Sequence, residues 1–180
     1  MNEIIDSQPR RHILSVVLED YCHVASVQRF VPSGYWHRFE SRVENNTAFT
    51  LDLLDEMGAK ATFFSNGWIA DHQPDVIKEV VRRGHEIASK GYFHRSIRQM
   101  SPEEFREDAV NSRIALERAS EKEVRGYRIA TDWISCQDLW ALDILCEEGF
   151  KYDTSIRVLG AAFSDEPFRR FPHVHKSDAG

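Results

Sequence analysis

The chain has 180 residues, 42% of them hydrophobic and 29% charged, with a net charge of −6. That length and balance suit one soluble globular domain with a real core. The mild acidity, with Lys and Arg scattered among Asp and Glu, gives no nucleic-acid footprint.

Met1 to Arg11 is a polar lead without the apolar stretch of a secretory signal. His12 to Leu18 (HILSVVL) is a continuous apolar run and reads as a buried parallel strand. It ends on Glu19, Asp20 and Tyr21, at the strand end where α/β folds gather function. Tyr21 to Phe39 is aromatic and irregular, with a turn signal at Pro32-Ser33-Gly34. Arg38 to Met57 has helical apolar spacing at Phe39, Val43, Phe49, Leu53 and Leu54, closed by Gly58.

Ala61 to Phe64 is the second strand, ending at Ser65-Asn66-Gly67-Trp68. Pro74 to Arg83 is a helix with Pro at its start and Gly84 beyond its end. Glu86 to Ser89 is a third strand. Ser101-Pro102-Glu103-Glu104 reads as a capping box opening a long helix to Ser120. Val124 to Ile129 is a fourth strand, Asp138 to Glu148 a helix closed by Gly149, and Tyr152 to Ile156 a fifth strand. Val158 to Gly180 is polar, aromatic and irregular, and reads as a loop.

Strands alternating with helices predict a parallel sheet built from βαβ units. A complete eightfold barrel takes about 250 residues, so a smaller open sheet or a shortened barrel is expected. No apolar run nears the roughly 20 residues that span a bilayer. Cys22, Cys136 and Cys146 are far apart and form no CxxC, which argues against a disulfide framework and for a reducing compartment. The expected location is the cytoplasm.

Four clusters follow predicted strand ends: Glu19-Asp20, Asn66-Gly67-Trp68, Lys90 to Arg95, and Tyr127-Arg128. In a parallel sheet these loops share one face, where Asp20 and His94 could meet. A carboxylate and an imidazole begin an oxygen–nitrogen metal site, yet catalytic zinc takes three protein ligands. Each signal also has an ordinary structural reading. A His after a strand is commonly a bonded loop residue, and a Glu-Asp pair is often a cap. Large aromatics such as Trp68 are more often core than sugar platform.

The stretches LSVVLEDYCHV, ATFFSNGWIADHQPDVIKEVVRRGHEIASKGYFHR, SPEEFREDAVNSRIALE, VRGYRIA and LWALDILCEEGFKYDTSI resemble the NodB-homology polysaccharide deacetylases. The nearest likeness is to the subgroup of bacterial exopolysaccharide loci, and it covers about His12 to Ile156. The resemblance implies a distorted (β/α) barrel over residues 12–180, with the C-terminal strands missing. It implies a hydrolase acting on carbon–nitrogen bonds of N-acetylated saccharides with a divalent metal, usually zinc. The metal lowers the pKa of its water and a carboxylate takes the proton. It places Asp20 and His94 as metal ligands, Glu19 and Arg128 as catalytic residues, and Lys90, Trp68, Tyr92 and Tyr127 around the pocket. Polysaccharide-biosynthesis proteins are the implied partners.

This sequence departs from the family pattern at the functional positions. Where the subgroup reads SVDVEDY, Val17 replaces an acid; where it reads SHGYxH, Lys90 replaces a metal histidine; RGYRAP becomes RGYRIA through Ile129 and Ala130. His173 and His175 lie in no recognisable motif. An ammonium is no zinc ligand and repels a cation at close range. Lys90 could instead take the metal's place beside Asp20 or Glu19. Two further readings therefore stand beside the hydrolase. One is a non-catalytic saccharide-binding or scaffolding domain, and the other a metal-free hydrolysis using Lys90 and Glu19.

Overall fold

The computed structural model of the chain describes residues 12–28, 30–156 and 172–176. The polar lead and most of the segment after Val158 lie outside these residues. Among the described residues five strands form one sheet: β1 (Ser15–Leu18), β2 (Thr62–Ser65), β3 (Glu86–Ser89), β4 (Gly126–Tyr127) and β5 (Tyr152–Asp153). They pair in sequential order and all in parallel. Sequential parallel strands with helical crossovers are the winding of a barrel wall, not of a doubly wound sheet.

Among the described residues six α-helices connect the strands: α1 (Ala25–Gln28), α2 (Val43–Glu56), α3 (Gly67–His72), α4 (Pro74–Arg82), α5 (Pro102–Ser120) and α6 (Trp140–Glu147). None of the described helices is long and apolar enough to cross a membrane.

Side-chain alternation along the strands splits the sheet into two faces. Phe63 and Ile87 pair in register and join Leu18, Ile69, Ile77, Phe105 and Leu116 in the core beneath the helices. Across that core Ser89 Oγ donates to Ser112 Oγ of α5 at 2.8 Å, which satisfies both buried hydroxyls. The opposite face carries the register row Val17, Phe64 and Ala88. Val17 is 39% exposed there.

The helix ends follow their sequence signals. Ser101 Oγ accepts from Glu104 N at 3.2 Å and Glu104 Oε2 accepts from Ser101 N at 2.7 Å, completing the capping box of α5. Pro74 opens α4. Gly58, Gly84 and Gly149, beyond α2, α4 and α6, all have positive φ.

Several boundaries differ from the sequence reading. α2 starts at Val43, not Arg38, because Asp20 Oδ2 accepts from Ser41 Oγ at 2.9 Å and Arg42 N at 2.8 Å, holding that segment as a turn. The fourth strand shrinks to two residues, since Ile129 N donates to Ser155 Oγ at 2.8 Å instead of to a ladder carbonyl. The fifth stops at Asp153, whose Oδ1 turns back Ser155 N at 2.7 Å. α3 is a helix that the sequence analysis does not predict. Asn66 Oδ1 caps it by accepting from Ile69 N at 3.0 Å.

Candidate functional site

The C-terminal ends of β1, β3 and β4 carry Glu19, Lys90 and Arg128. The ladder runs on past the strands and fixes their backbones. Lys90 N donates to Ser65 O at 2.8 Å, and Arg128 N to Ser89 O at 2.9 Å. Above these ends lies a cleft of about 270 Å³, lined by Val17, Glu19, Lys90, Arg128, Trp133 and Ser155 among others.

Lys90 is only 4% exposed. Its Nζ donates to Glu19 Oε2 at 2.9 Å, to Ala130 O at 2.8 Å, and lies 2.8 Å from His94 Nε2. Glu19 Oε2 and His94 Nε2 are themselves 2.9 Å apart. An ammonium has three hydrogens and no lone pair. Two of its hydrogens go to Glu19 and Ala130, while His94 Nε2 accepts the third in one tautomer and donates to Glu19 Oε2 in the other.

The electrostatics follow from this geometry. Burial pushes the Glu19 carboxyl up, but the hydrogen bond with His94 and the charge and hydrogen bond of Lys90 outweigh it, leaving a pKa of about 2. Burial pulls the Lys90 ammonium down, opposed by the charge of Glu19 and its hydrogen bond, while the Arg128 charge adds to the lowering. Asp153, at the end of β5, is pushed up to about 6 by burial, against hydrogen bonds from Ser155 and Thr154 and the charge of Arg128.

The loop that delivers His94 is held from behind. His94 has φ of 54°, in the left-handed region. Asp108 of α5 accepts from Tyr92 N at 2.8 Å and Phe93 N at 3.4 Å, and pairs with Arg95 at 3.5 Å. Gly91 (φ 75°) lets the loop approach, because a Cβ there would lie 2.6 Å from Asp108 Oδ2.

The expected meeting of Asp20 with His94 is replaced by that of Glu19 with His94. Both Asp20 oxygens are used by its own loop: Oδ1 accepts from Tyr21 N at 2.8 Å, and Oδ2 from Ser41 and Arg42. One residue along a strand end turns the side chain to the other face. Arg128 lines the cleft beside Lys90. Trp68 packs in the core, edge-on to Trp36 and stacked on His72. Tyr127 is core as well, 2% exposed and edge-on to Phe105 and Phe150. Tyr92 packs beside α3 and donates to Asp71 Oδ2 at 2.8 Å. His175 lies 3.0 Å from Asp143 of α6.

Sequence reading missed four participants. The Ala130 carbonyl accepts from Lys90, and Trp133, 41% exposed, lines the cleft. Ser155 donates to Asp153 Oδ2 at 2.5 Å. The acid inside the predicted fifth strand is a visible signal for Asp153. Nothing local marks a carbonyl as an acceptor.

The donor set does not fit the divalent metal that the resemblance implied. Glu19 and His94 supply two ligand atoms, and the third position belongs to an ammonium. Among the described residues no group of three or more His, Cys, Asp or Glu is placed to hold a metal ion.

The chain is similar to known proteins of one family. A family model described as polysaccharide deacetylase matches residues 34–132. A peptidoglycan-N-acetylglucosamine deacetylase of Bacillus cereus is 26% identical over 63% of this chain and 46% of its own length. A chitooligosaccharide deacetylase of Bradyrhizobium is 28% identical over 53% of this chain and 43% of its own. The chain thus spans about half the length of these curated relatives. Among solved structures, one described as a polysaccharide deacetylase from Mycobacterium smegmatis has a TM-score of 0.64 at 25% identity, over 79% of this chain and 50% of its own. A CE4 family pseudoenzyme from Bacillus anthracis has a TM-score of 0.57 at 19% identity, over 62% of this chain and 38% of its own, a likeness of fold alone.

Proposed function

This chain belongs to the polysaccharide deacetylase family, a family of hydrolases, and from that membership we propose that its cleft binds an N-acetylated saccharide without deacetylating it. The observation that carries the reading is the Lys90 ammonium, hydrogen-bonded at once to Glu19, His94 and Ala130.

Metal-assisted deacetylation needs a Lewis acid, an activated water and a base. Here Lys90 Nζ lies within 2.9 Å of both ligand atoms. The acid expected at position 17 is a valine facing the cleft. Glu19, with a pKa near 2 and its Oε2 tied to Lys90, is a poor base at neutral pH. The metal-free hydrolysis fares no better, because an ammonium held by Glu19 and Ala130 has no lone pair and is not a nucleophile.

Binding needs less. The Arg128 guanidinium and the Thr131 hydroxyl can bond sugar hydroxyls or an acetamide oxygen, and the Trp133 ring offers an apolar face. In this role the domain holds a glycan for proteins that build polysaccharide.

N-acetylglucosamine oligomers test the reading by calorimetric titration alongside an acetate-release assay, each with and without chelator. Saturable binding, weakened at least tenfold by Trp133→Ala, is expected with no acetate released. Chelator-sensitive acetate release would establish the hydrolase instead.

A further inference from the structure

We infer that the cleft above the strand ends selects an acidic saccharide, whose carboxylate pairs with the Arg128 guanidinium. The inference rests on the reading of that cleft as a saccharide site and names the chemistry of its ligand.

The polar groups in the wall divide into those already spent and those left over. Glu19 Oε2 accepts from Lys90 Nζ at 2.9 Å, and the Ala130 carbonyl accepts from the same ammonium at 2.8 Å. Asp132 accepts from Ser96 Oγ. Ser155 Oγ donates to Asp153 Oδ2 at 2.5 Å and accepts from Ile129 N at 2.8 Å. These acceptors thus have their donors inside the protein. Arg128 is different. Among the described residues no side-chain hydrogen bond or ion pair engages its guanidinium, although the residue is partly buried and lines the cleft. Val17, 39% exposed in the same lining, brings it no charge.

A guanidinium is always charged, and its planar fork of N–H groups matches a carboxylate with two parallel hydrogen bonds. Such a charge-assisted pair is roughly twice as strong as a neutral one. A neutral hydroxyl or acetamide would use the fork and forgo the charge. A doubly charged phosphate fits less well. The lining sets Glu19 and Asp132 against Lys90 and Arg128, and Lys90 is already spent on Glu19. One negative charge meets Arg128, whereas a second would face the two carboxylates without a cation of its own.

The remaining wall suits a sugar ring as the carrier of that carboxylate. Trp133 is 41% exposed and offers an apolar face beside the cation. The volume of about 270 Å³ lies just below the roughly 300 to 1,000 Å³ of sites for drug-sized ligands, so the cleft holds about one sugar unit. A uronate unit within an N-acetylated glycan uses both the ring and the guanidinium, and a small free acid uses only the second.

The test is calorimetric titration of the full chain with three probes. They are oligomers that alternate N-acetylglucosamine and glucuronate, the same oligomers with each carboxyl reduced to a hydroxymethyl group, and acetate as the free acid. The acidic oligomer should bind at least tenfold tighter than its reduced form and than acetate. Arg128→Gln should cut the preference for the acidic oligomer below twofold. Val17→Asp, which puts a competing carboxylate at an exposed position of the same lining, should cut it at least fivefold. It decides the matter if melting curves show that Arg128→Gln does not fold.

Equal affinity for the acidic and reduced oligomers overturns the inference and leaves the saccharide reading intact. A preference that survives in Arg128→Gln, or in Val17→Asp where Arg128→Gln does not fold, overturns it as well. So does acetate that binds as tightly as the acidic oligomer, which would mark a bare anion site. Binding of neither oligomer sinks both readings. Acetate release that still favours the acidic oligomer would sink the non-hydrolytic reading while the role of Arg128 stands.

Discussion

At Glu19, burial and pairing pull in opposite directions, and pairing wins. Its folded pKa of about 2 lies below the usual 4.5. A carboxylate with a depressed folded pKa gives stability that is complete above pH 4.5 and lost as pH falls toward 2. Asp153 has the opposite sign. Its pKa is raised from 3.8 to about 6, so its contribution is complete below pH 3.8 and lost as pH rises through 6. Each is worth up to about 3 kcal/mol at its limit. Urea unfolding between pH 2 and 7 should show both arms. Glu19→Gln should flatten the acid arm below pH 4.5, and Asp153→Asn the decline between pH 4 and 6. An unchanged acid arm in Glu19→Gln would mean that the carboxylate is not paired as described. Lys90 was readable as a departure from a pattern, but its carboxylate partner was not. Glu19 and Asp20 are adjacent acids, and only the turn at Ser41 and Arg42 decides which of them is spent on the loop.

Among the elements, α5 organises the site from beneath. Its N-terminus is fixed by the Ser101–Glu104 box, and Asp108, in its second turn, reaches the His94 loop. Removing one half of a capping box costs about 1 kcal/mol. Ser101→Ala should therefore lower stability by about 1 kcal/mol in urea titration and leave saccharide binding unchanged, since the box lies at the far end of the helix's first turn from Asp108. The long helices were legible because their Pro, Gly and capping signals are local. α3 was not, because six residues are too short for a periodic pattern and its evidence is a single capping asparagine. Its first residue, Gly67, is required by packing: a Cβ there would lie 2.6 Å from the Tyr92 ring and 2.7 Å from the Ser112 backbone. β3 matches its predicted bounds, whereas β4 and β5 are shorter than the sequence predicts, since side chains of Asp153 and Ser155 intercept the backbone bonds that would extend them.

Across the whole molecule, β2 and β3 are the centre of the sheet and β1 and β5 its described edges. Phe63, Phe64, Ile87 and Ala88 are each at most 4% exposed. Native-state hydrogen exchange should find the amides of β2 and β3 slowest and those of the two-residue β5 among the first to open. Slower exchange in β5 than in β3 would contradict this order. The sequence by itself determined the class of fold, since apolar runs separated by capped amphipathic segments admit only parallel βαβ winding. It also determined the kinship, and it located the departures at Val17, Lys90, Ile129 and Ala130. Only the tertiary structure decided what those departures do. Lys90 and Glu19 are 71 residues apart in sequence, and the Ala130 carbonyl lies 40 residues beyond Lys90. Their meeting depends on which way each side chain leaves its strand end, and that is set by sheet register and loop packing, which no local pattern encodes. An apparently damaged metal site is, in three dimensions, a closed hydrogen-bonded set around an ammonium.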